Sequence, residues 1–204
     1  MCFTTSGWSI TLMIIDLPYA TFDDYLASLG NGTRKDLRRK LKKACDSGEL
    51  TTKVVERVDD SIEDIYRLYL NTYTAGATKF EKLTKEFFLK AAENAGTGCR
   101  YFLYFINGKL AAFNLCFVHG DLLIDKFIGF DYAIARQYSL YFVSWCVNVQ
   151  WCIDNGIKRY QVGQTDYEPK TRLGCRLVPL YAYVRHTSGI VNRFLQVLAK
   201  FLNI

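Results

Sequence analysis

The chain has 204 residues, of which 50% are apolar, 15% are aromatic and 23% are charged. This composition excludes a disordered or low-complexity protein, and it predicts one folded domain over residues 1–204 with a large aromatic core. The net charge of +6 is concentrated in the segment TRKDLRRKLKK, which holds seven basic residues in eleven.

The seven cysteines form no CxxC pair and fall mostly inside apolar runs. An odd number of such residues is typical of reduced, buried thiols, so we expect a cytoplasmic protein. The apolar stretch WSITLMIIDLP lacks a basic leader and is too short to span a bilayer. We therefore expect no transmembrane segment, and we interpret this stretch as the first strand.

A short helix is predicted in TFDDYLASLG, and a basic helix follows, capped by Asn31 or Thr33. Its narrow apolar stripe consists of Leu37, Leu41 and Ala44, and its charges face solvent. The segment LTTKVVERV predicts a strand. DDSIEDIYRLYLNTYTAG and LTKEFFLKAAENAG predict two amphipathic helices, the second capped by Thr84.

Three strands of an antiparallel meander are predicted in CRYFLYFI, KLAAFNLCFV and LLIDKFIGFD. Asn107-Gly108 separates the first two, and both turn residues need a positive φ, which makes this dipeptide a strong hairpin signal.

The segment YSLYFVSWCVNVQWCIDNG predicts a helix that is apolar almost all round, and the strand IKRYQVGQ follows it. A strand, a crossover helix and a strand imply a parallel pair. YEPKTRLGC is expected to be a loop that leads to the strand RLVPLYAYV. The last helix, GIVNRFLQVLAKFLNI, has one apolar face, which we expect to cover the sheet; contact with a partner or a membrane is the alternative.

These elements predict an α+β (mixed α/β) fold, whose central mixed, mostly antiparallel sheet has one splayed parallel pair and helices on both faces. The element order resembles the GNAT acyltransferase fold. Three stretches narrow the resemblance to its FemAB-like and BioF2-like branch: FDDYLASLGNGTRKDLRRKLKKA, YAIARQYSLYFVSWCVNVQWCIDNGIKRYQVG and YEPKTRLG. Two-domain members of this branch imply that a second domain precedes this one in a longer protein.

The resemblance implies that Lys170 faces the acyl-transfer site or a phosphate, and that Tyr167 donates a proton to the leaving group. Asp166 and Asp131 lie at strand ends as candidate bases. The alternatives are a solvated loop lysine, a packing tyrosine and turn-capping aspartates. Asp125 alternates with apolar neighbours, so it faces either the cleft or solvent.

Most GNAT enzymes place a glycine-rich phosphate loop before the crossover helix, whereas this chain has ARQYSLYF without glycine. Arg136, Gln137, Tyr138 and Ser139 are the expected donor-binding residues. Acetyl-CoA or another acyl-CoA is the expected donor. The missing glycines keep aminoacyl-tRNA open as an alternative, because relatives in this branch include ligases that use it.

The basic helix suits a polyanion such as tRNA or a nucleotide-linked substrate, although a solvated helix face is an equal alternative. The residues expected to bind it are Arg34, Lys35, Arg38, Arg39 and Lys42, with Arg172 beyond the helix. Neither His119 nor His186 has ligand partners at metal spacing, so we expect no metal site.

We therefore predict an N-acyltransferase in which an amine acceptor, a small molecule or a peptide, attacks the acyl-CoA carbonyl directly in a ternary complex. One alternative is an aminoacyl-tRNA-dependent FemAB-type transferase in cell-wall peptide synthesis. The other is a non-catalytic GNAT-fold module that binds an anionic partner through the basic helix. The sequence predicts neither the acceptor nor the oligomeric state.

Overall fold

The computed structural model describes residues 11–46, 50–76, 81–163, 167–180 and 186–201. Seven strands form one sheet in the order β2-β3-β4-β5-β6-β1-β7. The strands are β1 (Thr11–Asp16), β2 (Leu50–Val55), β3 (Cys99–Ile106), β4 (Lys109–His119), β5 (Leu122–Phe130), β6 (Arg159–Val162) and β7 (Arg176–Pro179). The strands β5 and β6 pair in parallel, and all other neighbours are antiparallel.

The helices cover both faces of this sheet. They are α1 (Phe22–Ser28), α2 (Asn31–Asp46), α3 (Ile62–Ala75), α4 (Lys85–Ala95), α5 (Tyr132–Tyr138), α6 (Leu140–Asp154), α7 (Tyr167–Arg172) and α8 (Gly189–Phe201). The predicted α+β fold, with its single parallel pair, is confirmed.

The alternation of side chains along β3 divides the core in two. Tyr101 and Leu103 pack beneath α3 and α4, whereas Phe102 and Tyr104 pack beneath α2 and α6. The helix α6 is buried by contact with the sheet on one side and with α2 on the other. This explains why its sequence is apolar almost all round.

The local signals predicted several boundaries. Asn107 and Gly108 both have positive φ, at 51° and 75°, and they join β3 to β4 as predicted. Thr84 accepts a hydrogen bond from the backbone N–H of Phe87 and caps α4. The described cysteines are free thiols, and only Cys45 among them is exposed.

The segment YEPKTRLGC is not the expected loop, because Tyr167–Arg172 forms the short helix α7. Pro169 is compatible with a helix here since it lies in the first turn, where its missing N–H is not needed. Arg172 donates to Glu168 one turn earlier, and Gly174, with φ of 92°, lies just past the helix end.

The expected contact between the last helix and the sheet is also wrong for the described residues of α8. Ile190 is 84% exposed and Phe194 is 67% exposed. The amphipathic pattern predicted the helix correctly, but it carries no information about what covers the apolar face. The helices that precede α8 in the chain already cover both faces of the central strands.

Candidate functional site

The strands β5 and β6 pair over only three residues and then diverge. Leu122, Leu123 and Ile124 of β5 face Arg159, Tyr160 and Gln161 of β6. Beyond this point β5 continues to Phe130 along β4, while β6 ends at Val162. Where the two strands diverge, their facing edges border a cavity of about 810 Å³.

Most of the charged side chains in the described cavity lining are positive. Lys40, Lys126, Arg136 and Lys170 contribute cations to it, whereas Asp125 contributes a carboxyl group. Low-dielectric walls strengthen the field of such a group of charges. The cavity therefore favours a ligand that carries an anionic part.

Asp125 lies on β5 at the point of divergence, so it faces the cleft, one of the two orientations open from sequence. Its Oδ2 accepts hydrogen bonds from Asn114 Nδ2 and from the Tyr160 hydroxyl, each at 2.8 Å. Burial raises the pKa of the Asp125 carboxyl, although these donors and the nearby Lys170 charge oppose the shift. A carboxyl with a raised pKa beside a cavity is a candidate for proton transfer.

Lys170 is buried, with only 5% of its surface exposed, so it is not a solvated loop lysine. Its Nζ donates to the carbonyl oxygen of Gly163, just past β6, at 2.6 Å. Hydrogen bonds from the core hold the end of α7 in place. The Tyr25 hydroxyl on α1 donates to the carbonyl oxygen of Leu173, just past α7, and it accepts a hydrogen bond from Trp145 Nε1 on α6. These contacts fix a cation against the cavity wall.

The expected donor-binding residues lie in the last turn of α5 and at Ser139, which joins α5 to α6. Arg136 and Ser139 line the cavity, whereas Gln137 is exposed and its carbonyl oxygen accepts a hydrogen bond from Lys43 Nζ. Ser139 has a φ of 53°, so it adopts the left-handed conformation without being glycine. The first turn of α6 borders the cavity, and its positive dipole end favours anions there.

The basic helix α2 packs on α6 through its narrow apolar stripe and leaves most of its cations exposed. Arg38 pairs with Asp23, Arg39 with Asp36, and Lys42 lies 3.9 Å from Asp46. Arg34 donates to the carbonyl oxygen of Ala27 and to Asn31. The exposed cations of α2 are thus partly neutralised in the free protein.

Lys40 connects this helix to the cavity. Its Nζ lies 3.5 Å from the centre of the Phe142 ring, and its side chain is only 17% exposed. The six residues expected to bind a polyanion do not line the cavity, while Lys40, which was not among them, does. Lys35 is exposed on the same helix, and Arg172 pairs with Glu168 on α7.

Among the expected catalytic residues, Asp166 and the side chain of Tyr167 lie outside the described part of the chain. Asp131 caps α5, where its side chain accepts a hydrogen bond from Ile134 N–H. Among the described residues, no group of three or more His, Cys, Asp or Glu side chains is arranged to hold a metal ion.

Sequence reasoning missed the polar cluster around Asp125, which consists of Asn114, Tyr160, Asn148 and Tyr104. A usable signal was present. Asn114 and Asn148 are polar residues inside segments predicted to be buried strand and buried helix, and buried amides need partners. The partners lie on other elements, so the sequence could not identify them.

Residues 31–171 match the family model described as an acetyltransferase (GNAT) domain. No curated protein sequence matches the chain. Among solved structures, FemX is similar over 99% of this chain and 67% of its own, with 11% identity and a TM-score of 0.69. L-PGS from Bacillus licheniformis is similar over 97% of this chain and 66% of its own, with 13% identity and a TM-score of 0.60.

The chain thus spans about two thirds of the length of these structures. At such low identity the similarity establishes the fold alone, and it agrees with the GNAT fold predicted from the sequence. In the part of the chain that the structure describes, no helix is both long enough and apolar enough to cross a membrane.

Proposed function

Because the chain belongs to the GNAT acetyltransferase family, we propose that it is an N-acyltransferase that moves an acyl group from acyl-CoA to an amine acceptor. The observation that carries this proposal is the positively lined cavity between the diverging strands β5 and β6. It offers an anion-binding end, at the start of α6, and a proton-transfer end, at Asp125. Direct transfer in a ternary complex needs both.

The proposed roles follow from position. Arg136 and Ser139, with the neighbouring Gln137 and Tyr138, hold the phosphates of the donor beside the first turn of α6. Lys170, together with a backbone N–H of the diverging strands, stabilises the oxyanion that forms when the amine attacks the carbonyl carbon. Tyr167 supplies a proton to the leaving group, as the family resemblance implies.

The first test is calorimetric titration of the protein with acetyl-CoA and with free coenzyme A. We expect saturable one-to-one binding that Arg136→Ala weakens. Lys90→Ala is the matched control, because it removes an exposed cation from α4, which packs under the other face of the sheet. Absence of binding to a folded protein would contradict acyl-CoA as the donor.

Lys170→Met tests the chemical step. With acetyl-CoA and a panel of primary amines, we expect the rate of thiol release to fall about 10²–10³-fold, as when an oxyanion donor is removed. Acetyl-CoA binding should change much less, because Lys170 acts mainly in the transition state. Turnover equal to that of the wild type would show that Lys170 has no role in transfer.

Aminoacyl-tRNA is the second candidate donor, and α2 is the observation that favours it. The exposed cations of this helix lie beside Lys40, which lines the cavity. A polyanion bound along α2 would therefore place its end near the cavity. A chain that binds RNA but transfers no acyl group would support the third possibility, a non-catalytic module.

A further inference from the structure

A chain of hydrogen bonds runs from the core to Asp125. The Tyr104 hydroxyl on β3 donates to Asn148 Oδ1 on α6. Asn148 Nδ2 donates to the Tyr160 hydroxyl oxygen at 2.9 Å, and the Tyr160 hydroxyl donates to Asp125 Oδ2 at 2.8 Å. Tyr104, Asn148 and Tyr160 are each at most 1% exposed. Water therefore does not compete for these hydrogen bonds.

The orientation of the Asn148 amide, with Oδ1 toward Tyr104 and Nδ2 toward Tyr160, fixes the direction of these hydrogen bonds. An amide oxygen only accepts, and an amide NH₂ only donates. Tyr104 must therefore be the donor to Asn148, which leaves the Asn148 NH₂ directed at Tyr160. Tyr160 has a single proton, and with its oxygen occupied that proton is directed at Asp125. The chain presents a fixed donor to the carboxylate form of Asp125.

The same arrangement distinguishes the two oxygens of Asp125. Oδ2 already accepts hydrogen bonds from both Tyr160 and Asn114. The Cys116 thiol, a weak donor, also hydrogen-bonds to this carboxyl. Because Oδ1 accepts neither of the two strong hydrogen bonds, it is the oxygen better able to receive a proton. Asn114, whose Nδ2 donates to Oδ2, is only 1% exposed, and its own Oδ1 has no hydrogen-bond partner among the described residues. A buried acceptor without a donor is costly, and a ligand that brings a donor removes the cost.

We propose that Asp125 and Asn114 form the subsite for the acceptor amine, that Asp125 takes its proton, and that Tyr104, Asn148 and Tyr160 are positioning residues. The ligand class is a primary amine that arrives as an ammonium ion, because two of its three N–H donors satisfy the two acceptors, Asp125 Oδ1 and Asn114 Oδ1. The inference rests on the proposed acyl transfer and identifies where its acceptor binds.

In the transfer the ammonium ion loses two protons and the donor loses one bond. The ammonium ion gives one proton to Asp125 Oδ1, and the free nitrogen lone pair forms the C–N bond to the donor's carbonyl carbon. As the tetrahedral intermediate collapses, the bond from that carbon to the leaving sulfur or oxygen breaks. Tyr167, the acid of the proposed function, gives its proton to this leaving group and takes up the second nitrogen proton, and Asp125 releases its proton to solvent.

Several groups face the Asp125 carboxyl and act on its charge. The titratable ones are Cys116 from β4, Tyr160 from β6, Tyr104 from β3, Cys152 from α6 and Lys170 from α7. Burial raises the pKa of the Cys116 thiol and of both tyrosines, so these three stay neutral. Lys170 is the one described cation among these five.

The first experiment compares two nucleophiles with acetyl-CoA as donor. For a primary amine, we expect Asp125→Asn to lower kcat/KM about 10²–10³-fold, the usual size of a general-base effect. For hydroxylamine, which is unprotonated at neutral pH, the decrease should be within a few-fold. An equal decrease with both nucleophiles, or a decrease with neither, would overturn the assignment of Asp125.

The second experiment tests the positioning residues through the pH profile. Asn148→Leu removes the group that directs Tyr160, so the acidic limb of the kcat/KM profile should move to higher pH. Tyr104→Phe, which deletes a single oxygen, should move it in the same direction by less, and it serves if Asn148→Leu does not fold. Gln150→Leu on the same helix is the control, because its amide contacts Asp154 instead. If the acidic limb of the profile moves in neither Asn148→Leu nor Tyr104→Phe, the positioning role is excluded.

A carboxyl-selective ¹³C NMR titration separates this inference from the proposed function. It follows protonation of Asp125 without any substrate, and it should show the same upward displacement in Asn148→Leu. If acetyl-CoA does not bind while the titration shows the displacement, the donor is wrong and the positioned carboxyl stands. If acetyl-CoA binds and turns over but Asp125 titrates identically in both proteins, the inference fails alone.

Discussion

Among the residues of the site, Asp125 has a carboxyl group whose ionised form is disfavoured by burial. Its raised pKa means that folding favours the protonated form. Between the ordinary pKa of an aspartate and the raised one, the folded protein binds more protons than the unfolded chain. Stability therefore falls as the pH rises through the folded-state pKa. At neutral pH the ionised carboxyl costs stability, and we infer that it is kept for chemistry.

Asp125→Asn should accordingly raise the melting temperature at about pH 7.5, because the amide is a neutral isostere of the protonated carboxyl. The increase should shrink toward about pH 4, where the wild-type group is itself largely protonated in the folded state. Melting curves over this range, for Asp125→Asn and for the control Asp46→Asn at an exposed position, provide the measurement. A destabilised variant at neutral pH would mean that the carboxylate, not the acid, is the stable folded form.

Tyr25 stabilises the segment that carries Lys170. Its hydroxyl receives a hydrogen bond from Trp145 at 2.9 Å and donates to Leu173 at 3.0 Å, all in the core. Tyr25→Phe leaves a buried N–H and a buried C=O without a partner, so we expect the free energy of unfolding to fall by about 2–4 kcal/mol.

Urea denaturation measures this decrease, and Tyr19→Phe is the control, because Tyr19 is only half-buried. If Tyr25→Phe unfolded at the same urea concentration as the wild type, the hydroxyl would not bridge α1, α6 and α7.

Elements meet most closely where α3 crosses β5 at Gly129. An added Cβ there would lie 2.8 Å from the Leu68 carbonyl carbon and from Tyr69 N, and it would also strike the Phe113 ring. Backbone atoms cannot move aside cheaply, so Gly129→Ala should destabilise the protein by about 2–4 kcal/mol. Gly32→Ala is the control.

Gly32 lies in α2 with open space around its Cα, so alanine there should stabilise the helix by about 0.5–1 kcal/mol. Thermal unfolding of the two variants gives opposite shifts if the contact is as close as described. If both variants changed the melting temperature by the same amount and in the same direction, the distance between α3 and β5 at Gly129 would be larger than the structure gives.

The elements were also the scale at which sequence reasoning succeeded. Asn107-Gly108, Thr84 and the apolar α6 act through short-range chemistry, so their turn, cap and burial could be predicted. The helix α7 was missed because its six residues resemble a polar loop, and its folding depends on the distant Tyr25. The cluster around Asp125 was missed for the same reason, since its members come from β3, β4, β5, β6 and α6.

At the scale of the whole molecule, the sheet separates two kinds of core. The face under α3 and α4 is filled by an aromatic cluster around Tyr69, Phe88 and Phe127. The opposite face combines its apolar core with the buried polar chain that leads to Asp125. The basic helix α2 lies on this second face, where it contributes Lys40 to one wall of the cavity.

This arrangement makes RNA binding by α2 testable against a matched control. Arg38→Ala combined with Arg39→Ala removes two cations from the cavity side, whereas Lys85→Ala combined with Lys90→Ala removes two from α4 on the other side. The net charge changes equally in both double variants. If tRNA binds along α2, only the first should weaken binding, because phosphate contacts and not net charge set the affinity.

The salt dependence decides the mechanism of that binding. Removing one cation that touches a phosphate should reduce the slope of log K against log salt by roughly 1. The ion pairs with Asp23 and Asp36 do not prevent this, since exposed pairs are weak and a polyanion displaces them. Binding that both double variants weaken equally would reflect diffuse attraction to a basic protein, and α2 would then be a solvated surface beside a site that takes a smaller anionic donor.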